Sequence, residues 1–280
     1  MNSFSINRLC KTFRWYFGMN IRSTLAWTGG FTVAVFLCEL MFFVFSTGQY
    51  EMILDNMAQF GVTFILIALA IGVSTFLYDF NKKVKRVTFL MLPATNLEKF
   101  LSAVFYIVIV YTVAVLLSVV VGDTLRMVFR SLAYGDEWVS AIPQVMKGLI
   151  PNIVLHDDSH VYSVSFKVMS LVVGYSFILW IHSLYTLGGT LLRKYAFVVT
   201  SVAMIFFMMV LSWVINHLDV SMFTSQWDGN AYVSEEVGVF AYVLAIMIPL
   251  FSIFNYWTSF HIFKGYQLIT NKWTNYDFLK

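Results

Sequence analysis

Residues 85–121 read KRVTFLMLPATNLEKFLSAVFYIVIVYTVAVLLSVVV. The stretch opens basic, becomes apolar, breaks at Pro93 and restarts at Thr95 before an unbroken apolar run. Lys82 to Met91 suits a short helix, with Val84, Val87 and Met91 on one face and Lys82, Lys83, Lys85 and Arg86 over the rest. Pro93 ends it, because Leu92, the residue before a proline, is pushed out of helical geometry. Thr95 and Glu98 then satisfy T-x-x-E, the capping box in which each side chain accepts from the other residue's free backbone N–H. The new helix enters residues 101–121, an apolar run of the roughly 20 residues a helix needs to cross a bilayer. A helix, a break and a capped restart therefore sit at one edge of a membrane span.

Similar runs recur along the chain. Hydrophobic residues make up 59% of the 280 and charged residues 12%, against about 25% charged in a soluble domain. Six spans are predicted, at 25–46, 59–78, 101–121, 166–189, 195–217 and 238–260. They lack the alternation of barrel strands, so they cross as helices, which satisfy their backbone groups internally. The expected fold is all-α, a single polytopic membrane domain over 1–280 that ends in a tail at 261–280. No cleavable signal peptide is read at the start.

Charge placement sets the expected orientation. Arg8, Lys11, Arg14 and Arg22 precede the first span with no acid among them. Lys82, Lys83, Lys85, Arg86 and Lys99 cluster between spans two and three, and Arg193 and Lys194 follow span four. The alternate loops 47–58 and 218–237 carry acids and no Lys or Arg. The positive-inside rule then places both termini in the cytoplasm. The net charge of +3 reflects this topology, so nucleic acid is not an expected partner.

Residues 1–24 are predicted to form an amphipathic helix lying in the membrane interface ahead of span one. Ile6, Leu9, Cys10, Phe13 and Phe17 recur at helical spacing, while Trp15 and Tyr16 suit the headgroup level. Beyond span three, Asp123, Arg126 and Arg130 keep helical spacing and extend that helix out of the membrane. Pro143 and Pro151 frame QVMKGLI, a short amphipathic piece for the outer surface. The HDDSH segment, 156–160, has ligand chemistry, yet no second cluster completes a shell, so it is read as a solvated turn with no metal. Cys10 and Cys38 fall on the cytoplasmic segment and within span one, and no disulfide is expected.

Signatures of catalysis are missing. G-x-x-x-x-G-K-[ST], H-E-x-x-H and G-x-S-x-G do not occur, so no catalytic residue and no cofactor is assigned. Glu39 and His182 are candidates for a transport path, since ionisable groups inside a membrane mark ion or proton routes. Glu39, amid AVFLCELMFF, must be protonated, paired or beside a wet cavity. His182 is expected to hydrogen-bond to a neighbouring helix.

The arrangement resembles the membrane subunit of ABC-2 type (type V) ABC transporters. Leu92, Pro93, Ala94, Thr95, Glu98, Lys99 and Phe100 are similar to an LP-[AV]-[ST]-x-x-E-K-[FL] pattern of bacterial ABC-2 permeases, and the layout agrees over almost the full chain, departing in that the larger outer loop is 122–165 and not 218–237. The resemblance implies the permease subunit of an exporter, not itself an enzyme, whose residues 82–99 dock on a separate ATP-binding subunit. It also implies a homodimer, or a heterodimer with a related permease, in a bacterial cytoplasmic (inner) membrane. Lys82, Lys83, Lys85, Arg86, Thr95, Glu98 and Lys99 would set the docking, with Met91, Leu92 and Pro93 as a packed knob. Pro93→Lys, or exchange of Glu98 and Lys99, would then uncouple transport from ATP hydrolysis without unfolding. Two other readings stay open: a non-transporting scaffold or regulatory subunit, and an ion-coupled carrier using Glu39 and His182.

Overall fold

The computed structural model describes residues 4–45, 50–78, 83–135, 138–149, 164–192, 194–218, 223–227, 233–265 and 274. The chain is an all-α polytopic membrane protein. Ile6–Phe43, Met52–Thr75, Asn96–Tyr134, Val164–Leu191, Ala196–His217 and Val239–Lys264 are each long and apolar enough to cross a bilayer. Two compact units divide the chain, Met1–Gly72 with Val87–Leu149 and Val73–Arg86 with Ile150–Lys280.

In the first unit, α1 runs unbroken from Ile6 to Phe45, 40 residues, or about 60 Å of helix. Residues 6–24, expected as a separate helix lying in the membrane interface, are instead the first turns of the same helix as span one. Nothing in the sequence interrupts it, and its polar side chains are satisfied along its own axis. Thr12, Asn20, Thr24, Thr28 and Thr32 each donate to the carbonyl four residues back, at 2.8 to 3.2 Å. Such back-bonding lets polar residues continue a helix into apolar surroundings.

Helix α2 covers Tyr50–Tyr78 and α3 covers Lys83–Leu90. After the break, α4 (Asn96–Phe105), a π-helical turn (Tyr106–Tyr111) and α5 (Thr112–Tyr134) form one long rod. Its extension past the expected span ends at Gly135, whose φ of 70° is cheap only for glycine. The π turn carries two buried tyrosines to two neighbours. Tyr106 shares a hydrogen bond with the Thr24 hydroxyl of α1. Tyr111 donates to the Ala68 carbonyl of α2 at 3.0 Å. Its ring covers Gly72, where a Cβ would lie 1.8 Å from a ring carbon.

Helix α6, Ile142–Leu149, is the short amphipathic piece expected near Pro143. It packs on α2: Val145 is buried over Gly61, where an added Cβ would meet it at 2.9 Å. The adjoining core joins Ile53, Leu54 and Met57 with Ala141, and Phe42, Phe43 and Val139 pack against it.

The second unit contains α7 (Val164–Leu191), α8 (Ala196–Leu218) and α9 (Val239–Lys264). A seam of small and polar residues joins α7 to α9, the usual way membrane helices approach one another without a hydrophobic driving force. Asn255 donates to Ser183 Oγ at 3.0 Å, and Ser252, Ser259 and Thr186 bond their own helix carbonyls. Helix α8 meets α7 at Gly188, where a Cβ would fall 1.9 Å from Thr200 Oγ1. Between α8 and α9 the all-α fold carries two short strands. They form an antiparallel pair, β1 (Phe223–Trp227) with β2 (Val233–Val237), in the register Phe223 opposite Val237. Aromatic and β-branched residues dominate the strand ends, which suits a pleated pair.

Candidate functional site

The break between α3 and α4 is an ordered elbow. Leu92 N–H donates to the Phe89 carbonyl and Ala94 N–H to the Leu92 carbonyl, which closes a tight turn with Pro93 at its exposed tip. Both halves of the capping box form: Thr95 N donates to Glu98 Oε2 at 2.8 Å, and Glu98 N donates to Thr95 Oγ1 at 3.3 Å. Lys99 reaches back to donate to the Leu90 carbonyl at 2.6 Å. A lysine there satisfies a last-turn acceptor of α3 and places positive charge at the helix's negative end.

Glu98 does more than cap. Its Oε1 accepts from Ser5 N at 2.7 Å and from Arg8 Nη2 at 3.0 Å, while Arg8 Nε lies 3.2 Å from both carboxylate oxygens. One wholly buried carboxylate thus joins the start of α4 to the start of α1. Phe89 adds a second attachment. It is buried against α1 with ring centroids 6.0 Å from Trp15 and 5.6 Å from Tyr16.

These contacts correct part of the expected docking set. Arg86, Glu98 and Lys99 are buried inside the chain and do not present charge to a partner. Exchanging Glu98 and Lys99 would therefore break the fold locally, contrary to the expectation that it leaves the protein folded. Thr95 is occupied as the cap, and Lys85 and Leu92 are half-buried. Lys82 and the side chain of Lys83 lie outside the described residues. The exposed tip of the elbow is apolar, with Met91 78% exposed and Pro93 open beside it, and Asn96 and Leu97 are exposed at the start of α4. Of the expected knob, Met91 and Pro93 are its protruding members.

Glu39 is buried and paired. Arg126 of α5 places Nε 3.3 Å from Glu39 Oε2, an ion pair that leaves this oxygen without a hydrogen-bond donor. The same guanidinium donates from Nη2 to Asp123 Oδ1 at 2.6 Å and to the Val139 carbonyl at 2.8 Å. Asp123 also accepts from the Ser140 hydroxyl. Phe43 lies under both Arg126 and Arg130, with guanidinium carbons 5.4 and 3.8 Å from the ring centroid. The cluster joins α1, α5 and the segment leading into α6, and it places Arg126 beside Glu39. Arg126 was legible only as an extension of span three. Its role as a partner of Glu39 needed the one acid within span one to be matched with a base near the same end of another span.

His182 bonds a neighbouring helix as expected, Nδ1 to the Tyr256 hydroxyl of α9, and its buried Nε2 has no partner among the described residues. Glu39 and His182 belong to different units, and each is engaged within its own. The HDDSH segment lies outside the described residues. No family model, curated protein or solved structure matches the chain.

Proposed function

We propose that this chain is the membrane-spanning subunit of an ABC-type exporter, gripped at the α3–α4 elbow by a separate ATP-binding subunit. The observation that supports this most is the elbow itself: an exposed apolar tip at Met91 and Pro93 on a turn held rigid by the Glu98 box and by two attachments to α1. A loop that only reversed the chain would need neither. In this reading the termini and the elbow face the cytoplasm, because the basic residues cluster there, and the membrane is the bacterial inner membrane.

A partner that pushes the tip would move α1 and the α4–α5 rod together, since the Arg8–Glu98 pair and Phe89 lock them at the same end. The ATP cycle would bias this motion only through differing affinity of the partner for two arrangements of the helices. Affinity purification from the native cell with mass spectrometry tests the proposal. A stoichiometric ATPase with a P-loop should co-purify, and Met91→Glu with Pro93→Lys should release it without lowering the melting temperature. A chain that purifies without an ATPase would overturn it.

A further inference from the structure

One face of α1 combines features that the fold itself does not use. Lys11, Arg14, Gly18 and Arg22 are all exposed, and at 100° per residue they fall within about 80° of arc. They lie opposite the buried face formed by Thr12, Tyr16, Asn20 and Thr24. Glu39 is the sole acid in residues 1–50, and it is engaged by Arg126, so nothing on this helix neutralises the stripe. Toward the middle of span one the same face continues as Leu25, Gly29 and Val33, again exposed.

The glycines sharpen the point. Glycine is unfavourable inside a helix, and a Cβ at Gly18 or Gly29 would meet nothing within 4 Å. Packing within the chain does not call for them. Their effect is a shallow trough that starts between the basic side chains and runs into the apolar surface. Trp15, half-buried against Phe89 beside this face, is a ring type that settles at headgroup depth.

We infer that this face of α1 is a binding site for an acidic phospholipid, its phosphate held among Lys11, Arg14 and Arg22 and its acyl chain laid along Gly29 and Val33. Charge complementarity selects the occupant. A second copy of the same basic face would repel, and a soluble acidic partner would not use the apolar continuation inside the bilayer. A lipid carries both features in one molecule. The inference rests on α1 crossing the membrane and not on the transport reading.

The test is native mass spectrometry of the full chain in mild detergent, titrated with phosphatidylglycerol or phosphatidylcholine. Phosphatidylglycerol should bind at least about tenfold more tightly, since each basic residue near a membrane surface contributes roughly a factor of five in affinity for anionic lipid. Combined Lys11→Gln, Arg14→Gln and Arg22→Gln should weaken it about a hundredfold by the same reckoning, whereas Lys147→Gln, an exposed lysine on α6, should not. Gly18→Leu should weaken it too with no loss of melting temperature, because its side chain fills the trough and meets no neighbour. Equal binding of the two lipids would overturn the inference. So would undiminished binding by the triple variant, or competition by inorganic phosphate, which would mark a soluble-anion site.

Discussion

Arg8 and Glu98 stand 90 residues apart in the chain and meet in an ion pair, Nη2 to Oε1 at 3.0 Å. The same carboxylate closes the capping box of α4 and accepts from Ser5 N. A local helix-start signal and a long-range helix–helix tie therefore share one side chain. What holds the elbow's shape also fixes α1 against the rod that forms the third span.

Loss of that carboxylate should cost more than an ordinary cap. Glu98→Ala strips acceptors from Thr95 N, Ser5 N and Arg8 together, and about 2 kcal/mol of destabilisation is expected. Arg8→Gln should cost less, because Arg8 is 29% exposed and can turn to water. Thermal unfolding in detergent measures both. If the double variant equals the sum of the singles, the two residues are not coupled as described.

Arg126 is the shared partner of two buried acidic side chains, Glu39 and Asp123. Arg126→Met leaves Glu39 and Asp123 buried without their counter-ion and should destabilise by about 3–5 kcal/mol. Adding Glu39→Leu and Asp123→Leu should recover much of the loss, since an apolar replacement of a buried ionic cluster is often near neutral. A stable, well-folded Arg126→Met protein would contradict a structural role and return Glu39 to candidacy for a transport path.

Two glycines should respond in opposite directions. Gly72→Ala drives a methyl group into the Tyr111 ring, and overpacking of this kind costs about 3 kcal/mol. Gly18→Ala meets open space and should stabilise by about 0.5–1 kcal/mol through helix propensity alone. Melting temperatures of the two variants, measured side by side, check the packing around the π turn.

His182 and Tyr256 share one hydrogen bond. His182→Phe and Tyr256→Phe should each cost no more than about 1 kcal/mol, with a double variant close to either single. Retained folding with unchanged function in His182→Phe would fit a packing histidine; loss of function with intact stability would favour a proton-carrying role instead.

The elements legible in advance are those whose cause lies within a turn or a run of sequence. The Thr95–Glu98 box was readable because both partners lie in one helical turn, and Pro93 announces its own break. The paired strands Phe223–Trp227 and Val233–Val237 were not legible because they sit in a short polar stretch where hydropathy carries no signal. The unbroken α1 was missed because a change from basic to apolar composition marks a membrane boundary without breaking the backbone. Exposure in the 82–99 element was misassigned at Arg86, Glu98 and Lys99, because a charge in a basic loop looks solvated until the neighbour that covers it is known.

Sequence alone determined six membrane-crossing helices, the elbow and its cap, since hydrophobic run length and i to i+3 capping depend on residues near one another along the chain. Tertiary structure decided which charges are spent inside the protein. Arg8 with Glu98 and Glu39 with Arg126 are pairs across helices, and no local pattern specifies them. The strong penalty for an unpaired buried charge makes such pairs decisive once the helices meet, and only the packed fold shows which helices do.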